Sequence, residues 1–227
     1  MIFEIKNLLK NSSFIWKVRC FFSLRVLGNN KINVKGKGNS LVIDAAFIKK
    51  TKIIVIGCNN IIKIGSNSRF EGFITIYGDN NFIEILQDFN IKGAKFWIED
   101  DCNEINIGRY TTIENNTELA SIEGCKIYIE EDCMLSSDIT LRTGDSHSII
   151  DNEGNRINPS KDIIIGTHVW IGNKAVIAKG ARISNNSIIG SGSLVTKVFD
   201  QPNCILAGIP AKIIKEQISW KRERIKI

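Results

Sequence analysis

Histidine is scarce in this sequence, with only His147 and His168 in 227 residues. Imidazole is the side chain that titrates near neutral pH, so general acid–base chemistry has few candidate residues here. A metal centre that needs three histidine ligands is excluded. The six cysteines show no paired metal spacing, and we interpret them as small apolar packing residues of a cytoplasmic protein without a metal cofactor. They are Cys20, Cys58, Cys102, Cys125, Cys133 and Cys204.

The sequence also lacks a linker and a membrane span. No stretch is rich enough in Pro, Gly or Ser to separate two domains, and 227 residues suit one well-buried domain. Residues 1–28 are apolar, but basic residues interrupt them too often for a span and no cleavage site follows. These are Lys6, Lys10, Lys17, Arg19 and Arg25. We predict an N-terminal amphipathic cap over 1–28, with contact to a membrane surface as the alternative.

Charge of one sign is in mild excess, since 30 Lys and Arg face 24 Asp and Glu, a net charge of +6. This surplus fits acidic small molecules as well as polyanions. The basic residues are dispersed along the chain, and neither a stacking motif nor a recognition helix is apparent. We therefore predict no nucleic-acid partner.

What the sequence does contain is an aliphatic residue at every sixth position in its last third. On an α-helix a step of six rotates the side chain by roughly 240°, whereas on extended backbone any even step returns to the same face. A hexad fits one short strand and a bend, and three hexads make one coil. Units this short must stack to share one core, which predicts a β-solenoid. The aliphatic residues are Ile165, Ile171, Ile177, Ile183, Ile189 and Val195.

Small residues follow each aliphatic residue at one and at four positions later, and we expect them to allow sharp, closely packed corners. A looser pattern of two turn-prone residues and an alternating strand precedes the hexads. Its copies start at positions 29, 59, 80, 102 and 124, farther apart than three hexads, so these coils must carry small excursions. We predict the solenoid over 29–200 and a C-terminal segment with a helix over 201–227.

A polar excursion interrupts the repeat over 138–162. Long excursions from compact repeats tend to be functional, because ordering them costs entropy without burying a core. This one contains His147, preceded by Asp145, which could orient the imidazole or simply form a turn. His168 lies inside a hexad at a position expected to face solvent, and is the weaker candidate for a base.

Three ordered motifs resemble those of the hexapeptide-repeat acetyltransferases: IGTHVWIG at 165–172, IGSGSLVTK at 189–197 and AGIPAK at 207–212. The sequence is most similar to the branch with galactoside, maltose and capsular or sialic-acid O-acetyltransferases, specifically over about 130–215. The resemblance implies an all-β, left-handed parallel β-helix with a protruding loop and short terminal helices. It also implies a homotrimer that binds acetyl-CoA between neighbouring subunits.

The same resemblance implies roles for individual residues. His147 matches the base of the family's protruding loop, and Trp170 matches a tryptophan that packs near the thioester and the acceptor. Six further residues match positions at which the family binds CoA. Ser191 and Gly192 match the segment beside the pantetheine arm, Thr196, Lys197 and Lys212 match positions near the nucleotide end of CoA, and Asn173 is a weaker match. The sequence departs from the family at Lys179, where proline is usual.

These features predict an acetyl-CoA-dependent O-acetyltransferase that acts on a sugar hydroxyl of a surface glycan such as a capsule, sialic acid or O-antigen. One alternative is an N-acetyltransferase for a nucleotide-linked amino sugar, since this scaffold hosts both reactions. A second alternative is a structural or adhesive β-solenoid without catalysis. Serine acetyltransferase and γ-class carbonic anhydrase fit less well, because the first carries a larger helical domain and the second needs three histidines.

Overall fold

The computed structural model describes residues 13–225. The chain begins with helix α1 (Ser13–Phe22) and a π-helical turn (Ser23–Leu27), and then winds into a parallel β-solenoid. Each coil contributes a strand to each of three faces, and the third face stacks eight strands. No helix in the described part of the chain is long and apolar enough to cross a membrane.

Each face is a column of short strands paired in register. Face 1 consists of β3 (Phe47–Ile48), β10 (Thr112–Ile113), β13 (Met134–Leu135), β16 (Trp170–Ile171), β19 (Ile188–Ile189), β22 (Ile205–Gly208) and the antiparallel β23 (Ala211–Lys215). Face 2 consists of β1 (Lys31–Lys35), β4 (Lys52–Ile56), β11 (Glu118–Ile122), β14 (Thr140–Arg142), β17 (Val176–Ile177) and β20 (Leu194–Val195). Face 3 consists of β2 (Ser40–Ile43), β5 (Ile61–Ile64), β7 (Phe82–Ile85), β9 (Glu104–Ile107), β12 (Lys126–Ile129), β15 (Ile163–Ile165), β18 (Arg182–Ile183) and β21 (Val198–Phe199). Two longer strands, β6 (Arg69–Tyr77) and β8 (Asn90–Glu99), bend around an edge and join faces 1 and 2.

The hexads form the coils that the step of six predicts. All six aliphatic residues are buried, and Ile165 pairs with Ile183 and Ile171 with Ile189, so each coil closes after three hexads. The small residues four positions after each aliphatic are also buried. The corner conformation differs from expectation, because positive φ occurs at the third residue after the aliphatic. These residues are His168, Lys174, Gly180, Asn186 and Gly192.

The earlier coils follow a longer period, with a buried ladder of asparagines at one edge. Asn81 donates from its amide nitrogen to Asn60 Oδ1 (3.1 Å), and its Oδ1 accepts from the Asn103 N–H (2.8 Å). The ladder continues upward to Asn39, whose Oδ1 accepts from the Asn60 N–H (2.9 Å). The register predicted from residue 29 is therefore wrong, since strand Ser40–Ile43 pairs with Ile61–Ile64 and residues 31–35 belong to another face.

The excursion is shorter than predicted. Thr140–Arg142 forms β14 inside a coil, so the protruding loop occupies residues 143–162 rather than 138–162. Its far end is a small antiparallel turn in which Ile150 pairs with Arg156.

The N-terminal cap packs on the first coil through polar contacts. The Trp16 indole donates to the Ala45 carbonyl (2.6 Å), and Ser23 Oγ accepts from the Ile48 N–H (3.1 Å). Asn30 donates to the carbonyls of Ser23 and Ile48. The part of the predicted cap at residues 1–12 lies outside the described residues.

The predicted C-terminal helix is wrong, because residues 201–225 contain two strands, turns and an extended tail. The tail runs back along the edge between faces 3 and 1. Ile218, Trp220 and Arg222 contact three coils at Asn203, His168 and Asp132, and the Ile218 carbonyl also accepts from Asn186 in the coil between the first two. Alternate residues of an extended chain point to one side, so the side chains of Trp220 and Arg222 both face the solenoid and contact His168 and Asp132.

All six cysteines are free thiols, and four of them are buried. Burial raises the pKa of Cys125 to about 11 and that of Cys133 to about 12. These thiols pack as apolar groups and are poor nucleophiles. Cys58 and Cys102 do not share this burial, so the interpretation as packing residues fails for them.

Candidate active site

The protruding loop presents His147 to solvent at the edge between faces 2 and 3. The residue lies shortly after the end of β14, and its side chain is exposed. The Asp145 carboxylate accepts hydrogen bonds from Asn158 and Lys179, and among the described residues no hydrogen bond joins it to the imidazole. Its role as an orienting group stays a prediction.

Asn158 organises the backbone around His147 and is 7% exposed. Its side-chain nitrogen donates to the Asp145 carboxylate (2.8 Å) and to the carbonyl oxygen of His147 (2.8 Å). Its side-chain oxygen accepts from the Ile149 N–H (2.7 Å) and from Arg156 Nε (3.2 Å). A buried amide with all of these partners fixes the loop in one conformation. In the sequence Asn158 precedes Pro159, and such a pair indicates a turn but predicts no such network of contacts.

Two ion pairs tie the loop to the coils. Lys179 Nζ bonds the Asp145 carboxylate and also donates to the Asn158 carbonyl (3.1 Å). The hydrogen bond from Lys179, followed by that from Asn158, holds the pKa of Asp145 below its usual value. Arg156 donates to Glu123 (2.7 Å), and this bond lowers the pKa of the Glu123 carboxyl. Lys179 stands where the family usually has proline, and its side chain anchors the protruding loop to the coil.

Trp170 points outward from face 1 and belongs to an aromatic group at the C-terminal tail. Its Nε1 lies 3.5 Å from Ser136 Oγ, and its ring centroid is 6.1 Å from that of Trp220. Trp220 stacks on His168 with centroids 4.0 Å apart. Both ring nitrogens of His168 are engaged, Nδ1 with Asp132 (2.6 Å) and Nε2 with the Trp220 carbonyl (3.1 Å). His168 therefore has a structural role in holding the tail and has no free nitrogen to act as a base.

The structure divides the predicted CoA residues between two edges of face 2. Asn173, Ser191 and Gly192 lie at the corner that follows face 1, and stack through the Gly192 N–H, which donates to the Asn173 carbonyl (2.8 Å). Lys212 lies beside this corner on β23, paired with Ala207. Thr196 and Lys197 lie at the opposite edge, where the loop emerges. Within residues 13–225, no hydrogen bond joins His147 to Trp170 or to these residues.

The surface at these corners is open and carries exposed lysines. Ser191 and Gly192 are exposed, and a Cβ placed on Gly192 would meet no atom within 4 Å, so the corner is open to a ligand. Lys197 and Lys212 are exposed, and among the described residues neither forms an ion pair. Unpaired ammonium groups are available for phosphates. Asn173 is less available, since its amide nitrogen donates to the Ser137 carbonyl (2.8 Å).

Four basic or aromatic residues upstream of the loop, which could bind an acceptor glycan, do not form one surface. Lys95 and Trp97 lie on face 2, whereas Arg109 and Tyr110 lie at the edge between faces 3 and 1. Trp97 contacts Tyr77 (centroids 5.5 Å apart), and its strand aligns Trp97 with Ala120. Ala120 aligns in turn with Arg142, which donates to Ser146 beside His147 (3.2 Å). Face 2 therefore offers a column from an aromatic pair to the base of the loop.

Comparison with known proteins gives consistent matches. A model of the bacterial transferase hexapeptide family (six repeats) matches residues 162–197. The chain is 38% identical over 200 residues to a polysialic acid O-acetyltransferase of Neisseria meningitidis, covering 87% of this chain and 92% of that protein. A polysialic acid O-acetyltransferase of Escherichia coli O1:K1 / APEC is 37% identical over 143 residues, covering 62% and 45%.

Solved structures agree with these relatives. The polysialic acid O-acetyltransferase OatWY superposes with a TM-score of 0.81 at 36% identity, covering 86% of this chain and 92% of that one. The polysialic-acid-specific acetyltransferase NeuO gives a TM-score of 0.76 at 35% identity, covering 86% and 89%. The predicted fold class, an all-β left-handed parallel β-helix, is confirmed.

Proposed function

Because the chain belongs to the hexapeptide-repeat family of O-acetyltransferases, we propose that it transfers acetyl from acetyl-CoA to a hydroxyl of polysialic acid or a closely similar acidic capsular glycan. The observation that carries the proposal is the 38% identity to a polysialic acid O-acetyltransferase along 92% of that protein's length. The relatives favour O-acetylation over the N-acetyl and purely structural alternatives. Acetyl-CoA as donor and six free thiols fit a cytoplasmic location.

His147 is the proposed general base. Acetyl-CoA supplies the acetyl group as a thioester. His147 accepts the proton of the acceptor hydroxyl as that oxygen bonds to the thioester carbonyl carbon, and returns the proton to the CoA sulfur when the carbon–sulfur bond breaks. Asn158 is a positioning residue, because it holds the His147 carbonyl and the following N–H in place. Trp170 is proposed to pack beside the thioester and the acceptor.

We propose a homotrimer in which two protomers share each site. The support is geometric, since His147 and the proposed CoA residues Ser191 and Gly192 occupy opposite edges of face 2 in one protomer. A neighbouring copy that packs against the loop edge would bring its own corner residues to His147. Lys197 and Lys212 would then bind the CoA phosphates, Ser191 and Gly192 would flank pantetheine, and Thr196 and Asn173 would line the same groove.

For the acceptor, the face 2 column supplies suitable chemistry. The Tyr77 and Trp97 pair offers aromatic surface to sugar rings. The Arg142 guanidinium at the loop base is held by Glu118 (3.2 Å), and its side chain remains 43% exposed, so it is proposed to bind a sugar carboxylate as well. Ala120, aligned between Trp97 and Arg142, is small and buried, so the two larger side chains form the exposed part of the column. An acidic glycan fits this arrangement better than a neutral one.

The test is an assay of labelled acetyl transfer from acetyl-CoA to polysialic acid, with neutral glycans and amino sugars as competing acceptors. We expect polysialic acid to be the preferred acceptor and the acetyl group to be released by mild base, as an ester is. His147→Ala should lower the rate by about two to four powers of ten, because general-base catalysis contributes that much. Its sedimentation behaviour should match the unaltered trimer.

Ser148→Ala is the matched control, because Ser148 is the exposed neighbour of His147 in the same loop. Its rate should stay within about twofold, as is usual for surface substitutions. An undiminished rate in His147→Ala contradicts the assignment of the base. A base-stable amide product on an amino sugar would contradict O-acetylation.

A further inference from the structure

Basic charge is concentrated at the N-terminal end of the solenoid. Residues 13–60 contain nine Lys or Arg and one acidic residue, Asp44, an excess of eight positive charges. The whole chain has a net charge of +6, so the remaining residues together are net acidic. All nine basic side chains are exposed, and they are Lys17, Arg19, Arg25, Lys31, Lys35, Lys37, Lys49, Lys50 and Lys52.

Helix α1 carries apolar residues on both of its sides. Its inner side packs on the first coil through Trp16 and the buried Cys20. Its outer side, where a capping helix is expected to be polar, exposes Val18 at 37%, Phe21 at 59% and Phe22 at 47% of their surface. The following turn adds Leu27 at 75%. Apolar exposure of this kind marks an interaction surface.

The apolar and basic groups meet in one groove of about 440 Å³ on this helix. Val18, Phe22 and Leu27 line it, and Arg19 and Lys49 are the charged members of its wall. Nearby, the Arg25 guanidinium lies 6.0 Å from the centre of the Phe21 ring. A groove that combines apolar walls with two cations suits the boundary between acyl chains and anionic headgroups.

We propose that this surface, formed by α1, the π-helical turn and the first coil, docks the protein on an anionic membrane. The lysines supply attraction to acidic headgroups, and Phe21, Phe22 and Leu27 enter the acyl boundary. A soluble polyanion such as an acidic glycan accounts for the lysines but leaves the exposed aliphatic side chains of Val18 and Leu27 without an apolar partner. Docking would hold the C-terminal coils, and the loop with His147, away from the lipid.

The experiment is flotation of the full chain with vesicles of phosphatidylcholine alone or with about one third phosphatidylglycerol. We expect binding to the anionic vesicles only, and weaker binding as salt is added. Lys31→Gln/Lys35→Gln should lower the partition coefficient roughly 25-fold, since each charge contributes a factor of about five. Phe21→Ser/Phe22→Ser should lower it about tenfold or more.

The matched control is Lys215→Gln/Lys221→Gln, which removes two exposed charges far along the chain. It should change vesicle binding less than about twofold. Acetyl transfer to a soluble acceptor should be unchanged in the lysine and phenylalanine variants, so failure of docking is distinguishable from failure of the proposed activity.

Three results would overturn the proposal. The first is no binding to anionic vesicles, or equal binding to neutral ones. The second is binding that soluble polysialic acid abolishes and that Phe21→Ser/Phe22→Ser leaves intact, which would make the surface a glycan site. The third is self-association that the phenylalanine variant abolishes, which would make the surface a contact between copies.

Discussion

Early and late coils of the solenoid differ in length and in the chemistry of their corners. In the early coils Ile62 pairs with Ile83 and Ile83 with Ile105, so each of these coils is longer than three hexads. In the late coils Ile165 pairs with Ile183, which is three hexads and nothing more. The early coils contain more residues than three hexads, and their buried asparagine side chains form hydrogen bonds with backbone groups at the corners. The late coils contain no extra residues, and the backbones of neighbouring coils approach each other closely at the corners.

The protruding loop lies where the length of the coils changes. Ile127 pairs with Ile163, so the coil that carries the loop is twice as long as a late coil, and it stands between the last long coil and the first short one. Short coils give fixed, closely spaced corners, which suit a groove lined by backbone and small side chains. Long coils contain long strands such as β6 and β8, which provide a continuous surface that suits an extended acceptor.

The largest effect is expected from removing the centre of the asparagine ladder. Asn81→Ala deletes the donor to the Asp100 carbonyl (3.0 Å) and the acceptor for the Asn103 N–H (2.8 Å). Each buried polar group left without a partner costs about 1–3 kcal/mol. We expect the free energy of unfolding in urea to fall by about 2–4 kcal/mol, with the coil otherwise intact by circular dichroism.

Asn33→Ala is the control for the ladder, because Asn33 lies exposed on the edge strand β1. It should change the unfolding free energy by less than about 0.5 kcal/mol. If Asn81→Ala behaved like Asn33→Ala, buried amides would not distinguish the early coils from the late ones.

A smaller effect is expected at a late corner. A Cβ on Gly172 would lie 2.7 Å from Ser191 N and 2.8 Å from Ile189 O, which are backbone atoms of the next coil. Gly172→Ala must push the coils apart, and overpacking of this kind costs about 1–3 kcal/mol. Lys174 has φ of 59°, so Lys174→Gly should leave the unfolding free energy unchanged or raise it by up to about 1 kcal/mol.

Urea unfolding of both variants measures the contrast. An equal loss in the two would show that corner geometry does not depend on close approach at the first residue after the aliphatic. Close approach of the coils would then not explain the glycine at residue 172.

The repeat itself was predictable from sequence, because burial follows the periodicity of side chains. Ile165, Ile171 and the equivalent residues indicate a step of six. Because each hexad supplies one strand to one face, a coil with three faces contains three hexads. Backbone conformation was less predictable. Glycine at residue 172 suggested positive φ there, whereas the structure uses this glycine for close approach and places positive φ at Lys174. The early register failed for a similar reason, since Asn30 and Asn39 look alike and only stacking shows which one continues the ladder.

The candidate base could be named from sequence, but its supports could not. His147 stands out because histidine is rare and the loop interrupts a repeat. Asn158 and Lys179 act through contacts across 11 and 34 residues of sequence, with His147 and Asp145 respectively, and no local pattern encodes such pairs. Lys179 carried one signal, its departure from the family pattern. The tail was misassigned as a helix because its partners, Asp132 and His168, lie in other coils.

The smallest effect concerns the anchor between the loop and the late coils. In Lys179→Met the Asp145 carboxyl loses its main partner, so its pKa should rise toward the ordinary value. A lowered folded-state pKa means that the anchor stabilises the loop at neutral pH and is lost as pH falls through that lowered value. Asp145 is 45% exposed, so the change in unfolding free energy should stay below about 1 kcal/mol.

Carboxyl carbon NMR of the titrating side chains measures this directly. Glu123 is an internal control, because Arg156 rather than Lys179 lowers its pKa, and it should titrate identically in both proteins. If Asp145 titrated in Lys179→Met as it does in the unaltered chain, the lysine would not be its anchor. The loop would then be attached through the Arg156–Glu123 ion pair and ordered by Asn158, without a contribution from the corner of the neighbouring short coil.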